Sequence, residues 1–229
     1  MKNIAIITAR GGSKRIPNKN IKEFCGRPII EYSIQAALEA DIFDEVMVST
    51  DSIEIAEVAR KAGAKVPFLR SEKTSDDYAT TADVILEVLE KYKELGKTYE
   101  FAVCIYPTAP FVTGDKLKTS LRLLKEKDAN LVMPVVAFSF PPQRGMVLEG
   151  EEIKLKWPEN RNTRSQDLQT IYHDCGQFYC YQVDRFIEQK GQIVEGIYPI
   201  IMPETQVQDI DNMDDWQIAE LKYQFMIKK

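Results

Sequence analysis

The sequence predicts an α/β protein: a doubly wound sheet carrying one inserted β-rich arm. Three observations point there. Short apolar runs alternate with longer amphipathic ones, as parallel strands alternate with the crossover helices that join them. A loop of two glycines and several cations follows the first apolar run, where open α/β sheets bind ligands beyond the carboxyl ends of their strands. The alternation breaks once, over residues 137–174, where Pro141, Pro142, Gly145, Gly150 and Pro158 interrupt it. A length of 229 residues suits one such domain and is enough to bury a core.

Residues 3–9 form a continuous β-favouring run and read as a buried central strand. Residues 28–40 begin with a proline at a first-turn position and repeat Ile30, Ile34 and Leu38 at helical spacing. A strand is expected at 45–50. A helix follows, with Asp51 as its cap, Glu54 as capping-box partner and Gly63 as its stop. Residues 65–69 read as a short strand, 81–95 as a helix and 101–106 (FAVCIY) as a second buried strand. Pro107-Thr108-Ala109-Pro110 fits neither helix nor ladder. Helix 113–125 and strand 130–136 complete the regular part. Within 137–174, two strand-like runs flank Glu149-Gly150-Glu151 and predict a hairpin. Residues 177–183 and 197–202 return to the sheet, and 213–226 form a final helix. The core is therefore expected to comprise 1–136 and 175–229, with 137–174 as the inserted arm.

Composition is that of a soluble globular protein, 44% hydrophobic and 28% charged. A net charge of −5 argues against nucleic-acid and membrane-surface partners, although a local basic patch can still hold phosphate. The first apolar run is too short for a signal peptide, and no stretch reaches the length of a membrane span, so a cytoplasmic protein is expected. The four cysteines form no CxxC pair and read as free thiols. His173 is the single histidine, which leaves zinc without ligands.

Three constellations carry chemistry. Arg10-Gly11-Gly12-Ser13-Lys14-Arg15, with Lys19 shortly after, places four cations and two glycines within ten residues. Adjacent glycines let backbone N–H groups turn inward as an anion nest, and the cations neutralise a pyrophosphate-bearing ligand. The spacing is neither GxGxxG nor a Walker A loop, which removes dehydrogenase and P-loop readings. Asp209-Ile210-Asp211 puts two carboxylates on one side of an extended segment, an arrangement suited to Mg²⁺ together with substrate phosphates. It reads equally as decoration at the start of the last helix. The third is Tyr172-His173-Asp174-Cys175-Gly176-Gln177-Phe178-Tyr179 with Arg164-Ser165-Gln166 upstream. It suits a sugar-binding wall, or simply a hydrogen-bonded strand entry. A Cys/His nucleophilic pair is a poor reading at that spacing.

ITARGGSKRIPNKNI, CGRPIIEYSIQAA, VSTDS, LRSEKTSDDYATT, YPTAPF and DID, in that order and over nearly the whole chain, resemble the CMP-sugar synthetases for sialic-type acids. TRSQDLQTIYHDCGQFY is most similar to the pseudaminic acid branch, from bacteria that glycosylate flagella. The neuraminic branch typically has Asn-Gly-Ala-hydrophobic-Tyr where this chain has Asp174 to Tyr179, and Gln where it has Tyr106.

The resemblance implies a Rossmann-like nucleotidyltransferase sheet and Mg²⁺-dependent transfer of CMP from CTP to an acidic nine-carbon sugar. Pyrophosphate is released, and neuraminic and legionaminic acid are the alternative acceptors. It implies that Ala9, Arg10, Gly11, Gly12, Ser13, Lys14, Arg15, Asn20, Arg70, Ala79, Thr80 and Thr81 bind the nucleotide, Thr80 also reading as an N-cap. Arg10, Lys14, Lys19 and Asp211 are expected to be catalytic, and Asp209 and Asp211 to hold the metal. The sugar wall falls on Tyr106, Thr108, Arg164, Gln166, His173, Asp174, Gln177, Phe178 and Tyr179. The 137–174 arm matches the segment that protomers exchange in the family's dimers. A more distant reading, a non-catalytic nucleotide-binding module, has no use for the aspartate pair.

Overall fold

Strand β1 (Asn3–Thr8) sits in the middle of the molecule, and its alternation sets the two faces of the sheet. Ala5 and Ile7 point to one apolar layer, Ile4 and Ile6 to the other, and all four are fully buried. The computed structural model describes residues 2–228. After β1 the chain makes a loop and a two-residue ladder, β2 (Glu23–Phe24) with β3 (Arg27–Pro28), which the sequence reading did not separate from its surroundings. Helix α1 (Ile29–Glu39) then packs Ile30 and Ile34 into the core, with Pro28 immediately before the helix rather than in its first turn.

Strand β4 (Glu45–Ser49) pairs parallel with β1. Helix α2 (Ile53–Lys61) is capped by Ser52, whose hydroxyl accepts the Ile55 N–H at 3.3 Å. The cap expected at Asp51 is thus one residue later, and Asp51 is free for another contact. Gly63, at φ +97°, follows α2 in the left-handed conformation that ends a helix. The strand expected at 65–69 does not form. Only Lys65 bridges to Met47, and the segment then runs outward toward the cleft. Helix α3 (Thr81–Glu94) starts at a capping box between Thr80 and Asp83.

Strand β5 (Phe101–Ile105) lies parallel to β1 on its other side, and α4 (Gly114–Glu126) leads to β6 (Leu131–Ala137). The arm carries the hairpin β7 (Met146–Glu149) and β8 (Glu152–Leu155), turning at Gly150, as its sequence predicts. Its last part, β9 (Tyr172–Asp174), pairs with β6 and so belongs to the main sheet. Strand β10 (Phe178–Gln182) inserts antiparallel between β5 and β6. The short helix α5 (Val183–Glu188), unforeseen in the sequence, turns the chain toward the edge strand β11 (Ile197–Ile201), and α6 (Met213–Ile227) closes the chain.

The seven-stranded sheet runs β11-β6-β10-β5-β1-β4, with β9 on β6. Helices α1, α2 and α4 cover one face, and α3 and α5 the other. Helix α6 docks on an aromatic group off the sheet, where the Phe24 ring meets Trp216 and Tyr223 edge-on at 5.5 and 5.7 Å. Among the described residues no helix is long and apolar enough to cross a membrane.

Candidate active site

A cleft of about 560 Å³ opens at the carboxyl end of β1, between the loop that follows it and the start of α3. That is the position open α/β sheets offer to ligands. Arg10, Ser13, Lys14, Arg15 and Lys19 line one side, and Arg70, Ala79, Thr80 and Thr81 another. Tyr106, Thr108 and Asp211 complete the rim.

The loop is held open by its own hydrogen bonds. The buried Asn20 amide donates to the Arg10 carbonyl at 2.9 Å, fixing the turn from beneath. Gly11 donates its N–H to Asp51 Oδ1 at 2.8 Å, so part of the expected anion nest is filled by a protein carboxylate. A Cβ on Gly11 would come within 3.1 Å of the Ser52 Cβ, which is why the loop has no side chain there. Ala9 is fully buried and donates its N–H to the Ser49 carbonyl, so it supports the loop from below the cleft wall. Gly12 has open space around it.

Four cations converge on this region, and their counterions are informative. Arg10 Nη1 meets Asp77 Oδ1 at 2.9 Å and Lys14 Nζ meets Asp77 Oδ2 at 2.5 Å. Arg15 pairs with Asp211 at 2.8 Å, and Lys19 donates to the Ile210 carbonyl at 2.8 Å. Burial lowers the pKa of Lys19, while Asp211 and Asp209 pull it back up. Arg70 is held by Ser49, through Nε to Oγ at 3.1 Å and Nη2 to the carbonyl at 2.7 Å. Its burial lowers its pKa from the ordinary value. Asp76 and Asp77 were not singled out from sequence, and Asp51 was read there only as a helix cap. The only signal available was their place in VSTDS and SDDYATT.

The two aspartates of the DID segment do not face one space. Asp211 lines the main cleft, whereas Asp209 lines a second cavity of about 240 Å³ with His173, Glu204 and Lys222. No cluster of three or more His, Cys, Asp or Glu side chains suited to a metal occurs among the described residues. Of the DID pair the cleft itself therefore receives one carboxylate, Asp211, which is compatible with Mg²⁺, an ion commonly held by one or two carboxylates plus substrate phosphates rather than by an all-protein cage.

The expected sugar wall is only partly assembled. Tyr179 donates to Asp174 Oδ2 at 2.6 Å, and its ring lies 5.4 Å from that of Tyr106, whose hydroxyl is 3.3 Å from Thr81 Oγ1. Asp174 Oδ1 accepts the Gly176 N–H at 2.8 Å. Phe178 must be removed from the wall. It alternates with Tyr179 along β10, is 0% exposed, and packs into the α1–α4 layer on the opposite face. Gln177 is also buried, with its amide donating to the Gln206 carbonyl at 2.7 Å. His173 packs against Phe138 at 4.7 Å beside the second cavity. Arg164 and Gln166 are exposed on the arm and line neither cavity.

A cleft with cations spread along it, ending at a capped helix on one side and a carboxylate on the other, accommodates an anion longer than a single phosphate. Fold and site together define an α/β enzyme that handles a nucleoside triphosphate. The chain belongs to the cytidylyltransferase family, whose model matches residues 4–192, and it is a nucleotidyltransferase. It is 39% identical over 224 residues to a pseudaminic acid cytidylyltransferase of Campylobacter jejuni, covering 97% of both chains. It is 31% identical over 229 residues to the CMP-N,N'-diacetyllegionaminic acid synthase of Legionella pneumophila, covering 96% of this chain and 95% of that one. Its fold matches that of a CMP:2-keto-3-deoxy-manno-octonic acid synthetase solved with CTP, at a TM-score of 0.71 over the full length of both chains with 16% identity.

Proposed function

We propose that this protein transfers CMP from CTP to the anomeric hydroxyl of pseudaminic acid and releases pyrophosphate. The observation that carries this reading is the full-length similarity to the Campylobacter enzyme, joined to a cleft lined by Arg10, Lys14, Arg15, Lys19 and Arg70. In an in-line displacement at the α-phosphorus the protein forms no covalent intermediate, so it acts by positioning and charge stabilisation. Arg10 and Lys14 offset charge on the departing pyrophosphate, and Lys19, anchored at Ile210, adds a third fixed charge. Arg70 and the turn Ala79-Thr80-Thr81 hold the ribose and cytosine. Asp211, with Asp209 nearby, would hold Mg²⁺, which supplies Lewis-acid polarisation of phosphate and sugar oxygens. Tyr106, Tyr179 and Asp174 form the sugar side.

The arm supports a homodimer. Phe140, Met146, Leu148 and Ile153 are 64–86% exposed, an apolar surface of the kind that a second copy covers. Exchange of arms would also bring Arg164 and Gln166 from one protomer toward its partner's cleft. All four cysteines are free, which agrees with a reducing cytoplasm.

The test is pyrophosphate release with CTP and a panel of nonulosonic acids. Turnover of pseudaminic acid with CTP, and little with UTP or ATP, is the expected result. The Legionella relative makes legionaminic acid the specific second reading. Preference for it over pseudaminic acid in the same panel would replace the acceptor and leave the nucleotide chemistry standing.

A further inference from the structure

Asp77 bridges two of the cations that line the cleft. Its two oxygens go to different cations of the loop after β1, Oδ1 to Arg10 Nη1 at 2.9 Å and Oδ2 to Lys14 Nζ at 2.5 Å. The turn that presents it is fixed from within, because Asp76 Oδ1 accepts the N–H groups of Tyr78 and Ala79 at 2.9 and 2.8 Å. Arg10 Nη1 also reaches the Asp76 carbonyl at 3.4 Å. The segment that carries Ala79, Thr80 and Thr81 into the cleft wall is therefore latched to the cationic loop through one carboxylate. Carboxylate and phosphoryl oxygens make the same charge-assisted hydrogen bonds to guanidinium and ammonium groups. A ligand phosphate therefore competes with Asp77 for Arg10 and Lys14.

We propose that Asp77 is an internal counterion that incoming phosphates displace, and that this exchange discriminates a nucleoside triphosphate or free pyrophosphate from a nucleoside monophosphate, whose one phosphate is tethered at the other end of the cleft. The inference rests on the reading of the cleft as a triphosphate seat. A ligand that takes both cations in place of Asp77 breaks both pairs. In the triphosphate reading the terminal phosphates reach Arg10 and Lys14 and replace what they break, whereas the phosphate of CMP is tethered to the nucleoside end and does not take both. When pyrophosphate departs, Asp77 returns to the two cations, so they are not left facing each other without an anion. Release of the latch also frees the Ala79–Thr81 turn to adjust to the base end of the ligand, which ties phosphate occupancy to that wall through differential contacts in the two states.

The experiment is calorimetric titration of the full chain without divalent metal, using inorganic pyrophosphate, CTP and CMP, with UTP and ATP titrated into the parent for comparison. Asp77→Asn keeps the size of the side chain and removes its charge. Since exposed ion pairs are individually weak, pyrophosphate and CTP should bind it about tenfold more tightly, and CMP within about twofold of the parent. Asp77→Glu, which keeps the charge, should stay close to the parent for all three ligands. Unchanged or weaker pyrophosphate binding by Asp77→Asn overturns the proposal, as does equal tightening toward CMP. Pyrophosphate reports on the cationic seat whatever nucleotide the cleft takes. If the CTP reading fails, CTP will bind no better than UTP or ATP while the pyrophosphate comparison still decides the role of Asp77. Thermal melts of both variants confirm that each titration is made on folded protein.

Discussion

Lys19 donates its ammonium to the carbonyl of Ile210, 191 positions later, at 2.8 Å. This contact ties the cationic loop to the segment between Asp209 and Asp211, so the two walls of the cleft are one mechanical unit. Burial lowers the Lys19 pKa and the two aspartates raise it again, so its charge is fixed in place by partners rather than by water. Lys19→Met should lower kcat/KM for CTP by about 100-fold, the scale on which loss of one preorganised charge-stabilising donor acts. Lys19→Arg should recover little of this, because a planar fork cannot reproduce a point charge in that position. Pyrophosphate release under steady-state conditions measures both.

The two aspartates should separate on substitution. Asp211 lines the cleft and pairs with Arg15, whereas Asp209 opens on the second cavity. Asp211→Asn should abolish most turnover at any Mg²⁺ concentration. Asp209→Asn should lose activity that added Mg²⁺ restores in part, since a remaining carboxylate and the phosphates can still hold the ion. Rates measured across a Mg²⁺ series distinguish these outcomes, and near-normal rates in both variants at low Mg²⁺ would show that the pair serves only the start of α6.

The frame of the fold was open to reading because it rests on periods, two for strands and near four for helices, and on apolar runs too long to be anything else. The Thr80 cap was visible for the same reason, because its partner Asp83 lies at a fixed local spacing. Asp51 and Ser52 are both capping residues, and local sequence cannot choose between neighbours. The structure assigns the cap to Ser52 and leaves Asp51 to the Gly11 N–H. Residues 65–69 have strand-like composition, yet a strand needs an edge to pair with, and only Lys65 finds one. Phe178 and Tyr179 must face opposite ways, but which of them faces the cleft depends on the insertion of β10 between β5 and β6. That is a long-range fact. The bridge from Asp77 to Arg10 and Lys14 spans more than sixty positions and is equally invisible locally.

Helix α3 holds the loop before it through a pH-sensitive anchor. Glu87 accepts hydrogen bonds from the Ser71 N–H at 2.9 Å, the Ser71 hydroxyl at 2.8 Å and the Thr74 hydroxyl, and pairs with Lys91 at 2.5 Å. Burial pushes its pKa up, but Lys91, Thr74 and Ser71 together outweigh burial and hold it at about 2. A carboxyl depressed in the folded state stabilises the protein above its unfolded pKa, and that contribution is lost as pH falls from about 4.5 through about 2. The contribution at neutral pH is on the order of 2 kcal/mol, allowing for the partial exposure of Lys91. Urea denaturation of Glu87→Gln should therefore show lower stability than the parent at pH 7 and a smaller gap near pH 3.

The arm should hold two copies together. Leu148 and Ile153 are directly opposite each other in the β7–β8 hairpin and are 71% and 65% exposed, so neither supports the core of its own chain. Changing both to Glu should leave the melting temperature of the core nearly unchanged and shift the protein from dimer to monomer in light scattering at micromolar concentration. A parent that is already monomeric there would refute the interface.

In the proposed reading the choice of sugar rests on a short chain of groups: Thr81, Tyr106, Tyr179 and Asp174. Pseudaminic and neuraminic acid share a carboxylate and a nine-carbon frame but differ in ring stereochemistry, in an added amino group, and in a methyl end where the latter has a hydroxyl. With Phe178 turned to the other face, the apolar surface available for the methyl end reduces to the rings of Tyr106 and Tyr179. Apolar contact alone rejects an added hydroxyl by only about two orders of magnitude, so the parent should favour pseudaminic acid by at least about 100-fold in kcat/KM. Asp174 gives one oxygen to Tyr179 and the other to Gly176, so it acts on the sugar mainly by fixing the Tyr179 ring. Tyr179→Phe keeps the ring and frees that oxygen. It should raise the KM for the sugar by about tenfold, the worth of one charge-assisted hydrogen bond, and leave the KM for CTP unchanged. Asp174→Asn, whose one oxygen can still accept the Gly176 N–H while its amide donates to the Tyr179 hydroxyl oxygen, should fall between Tyr179→Phe and the parent, whereas Asp174→Ala should match or exceed Tyr179→Phe. Equal rises in both Michaelis constants would mean that these residues hold the sheet rather than the sugar, and efficient turnover of neuraminic acid with pseudaminic acid inert would overturn the choice of acceptor.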